Sequence, residues 1–179
     1  MNLRPRPAPR WPVTARTDNQ IEYHIRPITP ADRERERDFI ARMSPESRYL
    51  RFMHPLREPS EKLLDDLVTV DGRRTMALIA TVGAGDAERI IGVARYAADP
   101  AGDECEFAVA VADDWQCLGI GTTLIPLLFD HAARAGYRVI YGNVLAGNQR
   151  MVELANWCGL TVDTPTHGCE TVRAWKRLN

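Results

Sequence analysis

Cysteine is scarce in this chain and poorly spaced for chemistry. The 179 residues include four, at positions 105, 117, 158 and 169. None forms a C-x-x-C pair, which excludes the usual zinc and dithiol motifs. His167 and Cys169 lie close together, but two donors do not make a tetrahedral site. Reduced cysteines and no metal are expected. Long apolar runs are also missing. None approaches the ~18 residues a membrane helix needs, and the greasiest stretch, 124–129, contains Pro126. Charge of one sign is not in excess, with 23 basic against 24 acidic residues. That removes the electrostatic case for nucleic acid or an anionic membrane as partner. The N-terminus lacks the apolar stretch of a secretory signal, so a cytoplasmic location is expected. There are no internal repeats.

What is present fits one domain. A chain with 45% hydrophobic and 26% charged residues can bury its own core. Residues 1–19 read as a disordered leader, because Pro5, Pro7, Pro9 and Pro12 interleave with Arg4, Arg6 and Arg10. The domain is expected over 20–179. Ile21, Tyr23 and Ile25 alternate with polar residues, as in a half-buried strand. Thr29, Pro30 and Asp32 start a helix. Its charged run 33–38 reads as a solvated face, with Phe39, Ile40 and Met43 turned inward. Ser44-Pro45 and Pro59-Ser60 open two more short helices. Residues 75–82, 89–96 and 104–111 read as strands, the first two as a hairpin. In the third, Phe107, Val109 and Val111 share one face and Glu106, Ala108 and Ala110 the other. A helix follows to Gly136, with a kink expected at Pro126. Then come a strand at 137–144, a helix capped by Asn148 and ended by Gly159, and strands at 160–162 and 171–175. The order β-α-α-α-β-β-β-α-β-α-β-β predicts an α/β (α+β) mixed sheet with helices on both faces. Edge strands near the C-terminus make a homodimer an expected assembly.

The most informative segment is Asp113-Asp114-Trp115-Gln116-Cys117-Leu118-Gly119-Ile120-Gly121-Thr122. Gly119 and Gly121 fall where a helix begins, beside N–H groups that have no intrahelical partner and at the positive end of the helix dipole. Such a turn can seat a phosphate, and Thr122 could add a hydroxyl. A tight strand-to-helix turn that needs glycine only for geometry fits the same spacing. The P-loop pattern is absent, and Leu124 stands where the third glycine of G-x-G-x-x-G belongs. A seat with no lysine clamp and no metal-binding acid suits phosphates that are held, not cleaved.

Gln116-x-x-Gly119-x-Gly121 after an apolar strand resembles the coenzyme-A motif of the GNAT (general N-acetyltransferase) superfamily. Residues 144–151, then Gly159-Leu160, resemble that family's second block, and the likeness runs from about Ile21 to Trp175. The segments 47–52 and 104–109 resemble the acetyltransferase domain of bacterial Pat-type protein-lysine acetyltransferases. The resemblance implies the GNAT fold, a mostly antiparallel sheet with a V-shaped cleft, and acetyl-CoA as co-substrate. It implies that the backbone of Val109, Ala110 and Val111 pairs with the pantetheine arm. It places the pyrophosphate at Gln116, Cys117, Gly119, Ile120, Gly121 and Thr122. It puts Asn148 near the pantetheine, a residue whose other role is to cap a helix. Tyr49, Arg51 and His54 would line the acceptor side.

The implied reaction is direct attack of a primary amine on the thioester, with a protein lysine as the first acceptor and a small-molecule amine as the second. A non-catalytic CoA-binding module is the alternative. A lysine amine of pKa ~10.4 is protonated at neutral pH, so a base is needed, and Glu106 holds the matching position. Partial burial is expected to raise its pKa; an exposed strand glutamate, or a partner for Arg95, is the other reading. Two departures stand out. Ala155 replaces the tyrosine that many members carry seven residues after the asparagine, so the acid for the leaving thiolate is unassigned. Cys117 stands where glycine is common, which leaves redox control of CoA binding and a neutral substitution both open. Trp115 reads as packing and His131 as a core histidine.

Overall fold

The computed structural model describes residues 8–100, 102–164 and 169–178. The strands are β1 Val13–Arg16, β2 Glu22–Pro27, β3 Thr75–Val82, β4 Arg89–Ala98, β5 Glu104–Val111, β6 Val139–Leu145, β7 Thr161–Val162 and β8 Thr171–Arg177. The helices are α1 Arg33–Arg42, α2 Pro45–Phe52, α3 Glu61–Val68, α4 Ile120–Ala135 and α5 Gln149–Trp157. The strands form one sheet in the order β1-β2-β3-β4-β5-β6-β8-β7. Every neighbouring pair is antiparallel except β5 and β6.

The two faces of the sheet are separated by the alternation of side chains along β4. Tyr96 points toward α4, where its hydroxyl meets Nδ1 of His131 at 3.0 Å. Arg95, one residue earlier, points the other way and donates to Glu36 of α1 at 3.3 Å. On the α4 side Phe107 meets Phe129 edge-on at 5.2 Å. Leu124, Ile125 and Leu128 complete a core with the buried residues of β3 and β4. His131 is thus hydrogen-bonded as its sequence context suggested, but half-buried at the margin of this core.

The helix starts follow their caps. Ser44 accepts from the Ser47 N–H and Ser60 from the Leu63 N–H, each at 3.1 Å. Thr29 and Asp32 form a capping box on a 3-10 turn ahead of α1. α4 ends at Gly136, whose φ of 98° closes it in the left-handed conformation.

Two sequence expectations are corrected. Residues 13–16 are not a disordered leader: they pair with β2, Val13 opposite Ile25 and Arg16 opposite Glu22. Proline excludes a sheet centre, but β1 is an edge strand, where the exclusion does not apply. Residues 1–7 lie outside the described residues. Second, the run 33–38 is not solvated throughout, because Glu36 is buried at 3% exposure. Its helical position turns it under the sheet toward Arg95, a partner 59 residues away that no local pattern reveals. α4 runs from Ile120 to Ala135 with Pro126 inside it, on the exposed side of the helix.

Candidate active site

The site arises because β5 and β6 part company. Their parallel pairing covers only Glu104 with Val139, Cys105 with Ile140, and Glu106 with Tyr141. Beyond Glu106, β5 stays paired with β4 through Val111, opposite Gly92, while β6 stays paired with β8 through Leu145. The edge of residues 107–111 that faces β6 is therefore left without a strand partner. At the apex sits Gly142. A Cβ there would lie 2.9 Å from the Phe107 ring and 3.0 Å from its carbonyl oxygen. Glycine allows the strands to meet tightly before they diverge.

The opening is a V-shaped cleft containing a cavity of about 890 Å³. Glu106, Val109, Ala110, Val111, Gln116 and Cys117 line it, as do Gly119, Ile120, Gly121, Thr122 and Asn148. Residues spread over 43 positions are brought to one space by a strand, a helix start and the next helix cap.

At one end lies the start of α4. Its N-cap is Gly119, with φ 84° and no side-chain cap. The first-turn amides and the positive end of a 16-residue helix are thus left for an anion. The glycines also have local reasons. A Cβ on Gly119 would come within 3.0 Å of the Asp18 carboxylate, and one on Gly121 within 3.0 Å of Leu154. Two side chains of the loop are engaged within the protein. The Thr122 hydroxyl turns back to the Gly119 carbonyl at 2.8 Å. Gln116 braces the loop, donating to the Val111 carbonyl at 3.1 Å and accepting from Arg150 at 3.0 Å. Arg150, in the first turn of α5, is a cavity-lining cation that the sequence reading missed. Asn148 caps α5, its Oδ1 accepting from the Met151 N–H at 3.1 Å.

At the other end is Glu106. It is exposed, not partly buried as expected, because the parting of the strands opens its side to the cleft. Asn143 of β6 donates to its Oε1 at 2.8 Å, a partner the sequence reading also missed. Arg95 does not pair with it; that guanidinium is committed to Glu36 and to the Leu67 carbonyl. Of the three acceptor-side residues, only Arg51 lines the cavity; Tyr49 and His54 are exposed on the outer surface. Burial and the nearby charge of Arg95 push the Arg51 guanidinium down to about 10, against the opposing pull of Glu36 and Glu106. It remains a cation at neutral pH. Asp113 fixes α2 over the cleft by accepting from Ser44 N–H and Oγ at 2.9 Å and from Ser47 Oγ at 2.6 Å. Ala155, fully buried in α5, faces the core and not the cavity. Among the described residues no cluster of three His, Cys, Asp or Glu side chains could hold a metal. No helix there is long and apolar enough to cross a membrane.

A split parallel pair beside an uncapped helix start joins an open strand edge to an anion seat, the arrangement that the resemblance to the GNAT superfamily implies. The sequence profile of the acetyltransferase (GNAT) family matches residues 37–160. The chain belongs to this family of acetyl-CoA-dependent N-acetyltransferases. It is 43% identical over 130 residues to acetyltransferase PA5475 of Pseudomonas aeruginosa, covering 73% of this chain and 70% of that protein. It is 31% identical over 149 residues to acetyltransferase Pat of Mycolicibacterium smegmatis, covering 83% of this chain and 43% of that longer protein. Among solved structures, the GNAT domain of S. lividans PAT superposes with a TM-score of 0.85 at 27% identity, over 94% of this chain and 97% of that one.

Proposed function

We propose that this chain transfers the acetyl group of acetyl-CoA to a primary amine, with a protein lysine as the first acceptor, and that Glu106 is the general base. One observation carries the reading: Glu106 and the uncapped start of α4 lie at opposite ends of one cavity, joined by the unpaired edge of β5. The diphosphate sits on the α4 amides, with Arg150 beside it. The pantetheine arm runs along residues 109–111 as an added strand, and brings the thioester toward Glu106. A backbone N–H near Val109 polarises the thioester carbonyl.

An amine entering from the α2 side is bound as its ammonium ion. Glu106 accepts one proton, directly or through a water, and the free amine attacks the carbonyl. The nitrogen of the tetrahedral intermediate gives up its second proton to solvent, Glu106 returns the first to solvent, and the intermediate collapses to the amide with loss of CoA. With Ala155 away from the cavity, the sulfur leaves as thiolate and takes its proton from solvent, which a thiol of pKa ~8.5 permits.

The test is thiol release from acetyl-CoA with a panel of small amines and lysine-containing proteins, in the native chain and in Glu106→Gln. The variant should lose roughly 100-fold or more in kcat with little change in acetyl-CoA affinity. Unchanged turnover removes Glu106 from the mechanism. Turnover confined to small amines removes the protein acceptor.

A further inference from the structure

The charged side chains that line the cavity are nearly all accounted for within the protein. Glu106 is held by Asn143, Asp113 by Ser44 and Ser47, Arg95 by Glu36, and Arg150 by Gln116. Arg51 is different. Among the described residues it has neither an ion pair nor a hydrogen-bond acceptor. The Phe52 ring centroid lies 4.9 Å from its guanidinium carbon. It projects from the last turn of α2 into the cavity, where Glu36 and, more weakly, Glu106 are close enough to act on it electrostatically. Glu46, the other lining charge without a partner, is exposed in the first turn of the same helix. The two are five positions apart on the helix, about 7.5 Å along the axis.

A half-buried guanidinium offers five N–H donors in a planar fork. Its nitrogens are left to solvent in the cleft, and the fork matches a carboxylate in bidentate fashion. The ring beneath holds the plane in place. The acceptor's amine must reach Glu106, so a group that meets Arg51 belongs to the same molecule.

We infer that Arg51 selects acceptors carrying a carboxylate near the reacting amine, bound as a zwitterion with the amine at Glu106 and the carboxylate on the Arg51 fork. The chemistry is that of a free amino acid, or of a lysine flanked by an acidic side chain in a protein. This rests on the acetyl-transfer reading above and narrows its acceptor.

The experiment offers matched acids and amides. Glycine, β-alanine, 4-aminobutyrate and 6-aminohexanoate are each compared with the corresponding amide, and lysine peptides flanked by Glu with the same peptides flanked by Gln. Transfer is read as kcat/KM. Binding to the CoA-saturated protein is read by calorimetry, which needs no turnover. At least one acid should exceed its amide by roughly 10- to 100-fold in both readings. Which series shows the preference separates the free acid from the peptide. In Arg51→Gln that ratio should fall to about one, and in Arg51→Lys, which keeps the charge but not the fork, it should be intermediate. A native ratio near one throughout overturns the inference. So does a loss in Arg51→Gln that is equal for acid and amide, the mark of a residue that only packs or positions Glu106. If Arg51→Gln does not fold, the lysine variant decides. Preferential binding of the acid with no transfer would sustain the Arg51 assignment while refuting the acetyl-transfer reading.

Discussion

Asn143 reaches across the gap between β6 and β5 to donate a 2.8 Å hydrogen bond to Glu106. The two residues stand just where the strands cease to pair, Glu106 at the last paired position of β5 and Asn143 two residues past its partner Tyr141. The bond fixes one carboxylate oxygen and leaves the other toward the cleft. Asn143→Ala should lower kcat by about tenfold, the scale of one hydrogen bond to a charged group, with acetyl-CoA affinity retained. Combined with Glu106→Gln it should add little, because the two act as a unit. Full additivity in the double mutant would show that Asn143 does not work through Glu106.

Gly142 sets how closely β5 and β6 approach before they split. Gly142→Ala forces a methyl against the Phe107 ring and its backbone oxygen, and backbone cannot yield as a side-chain tip does. Urea denaturation should show a loss of about 1–3 kcal/mol. The apex should also shift, weakening acetyl-CoA binding in a calorimetric titration. A silent substitution would mean the cleft tolerates a wider apex.

The four cysteines should divide into two classes. Burial pushes the Cys105 thiol up to about 12 and raises that of Cys158, whereas Cys117 and Cys169 are exposed. A thiol reagent at neutral pH should modify Cys117 and Cys169 rapidly and the buried pair only on unfolding. Saturating CoA should protect Cys117, which lines the cavity, and not Cys169. Peptide mapping after labelling reads this directly. Equal labelling of Cys117 with and without CoA would displace the diphosphate from the α4 loop.

Asp32 joins β2 to the start of α1. It is almost fully buried and accepts two bonds of 2.7 Å from Arg26, plus the Thr29 N–H at 2.9 Å. Burial pushes its carboxyl up, but the Arg26 and Thr29 bonds to the charged form outweigh that and hold it below the ordinary aspartate range. A folded value below the unfolded one contributes stability that is complete above about pH 4 and drains away as pH falls through the folded value. Asp32→Asn should cost about 2–3 kcal/mol near neutrality, tempered because Arg26 keeps Glu88. Its Tm should also fall less steeply with acid than that of the native chain. Parallel acid profiles would assign the sensitivity to other carboxylates.

The local grammar of the chain was readable. Alternation along 104–111 gave β5 its two faces, and the serine and glycine signals marked the helix ends at Ser44, Ser60 and Gly136. The glycine turn at 119–121 was visible as a helix start, since its cause lies within a few residues. Resemblance then supplied Glu106, Asn148 and the β5 backbone as one group, and the fold brings them to one cavity.

Other features depend on partners far apart in the chain. Nothing near Glu36 in sequence announces that Arg95 will draw it under the sheet. Nothing near Val13 marks it as the partner of Ile25, and the prolines around it argue the other way. The exposure of Glu106 and its bond to Asn143 follow from where β5 and β6 separate. The sequence by itself determined the helices, the glycine turn and every strand but β1, because these are governed by period, capping and backbone freedom over short spans. Only the tertiary structure decided which charges are paired and which face the cleft, because that depends on strands and helices meeting across tens of residues, where register and close contact rule.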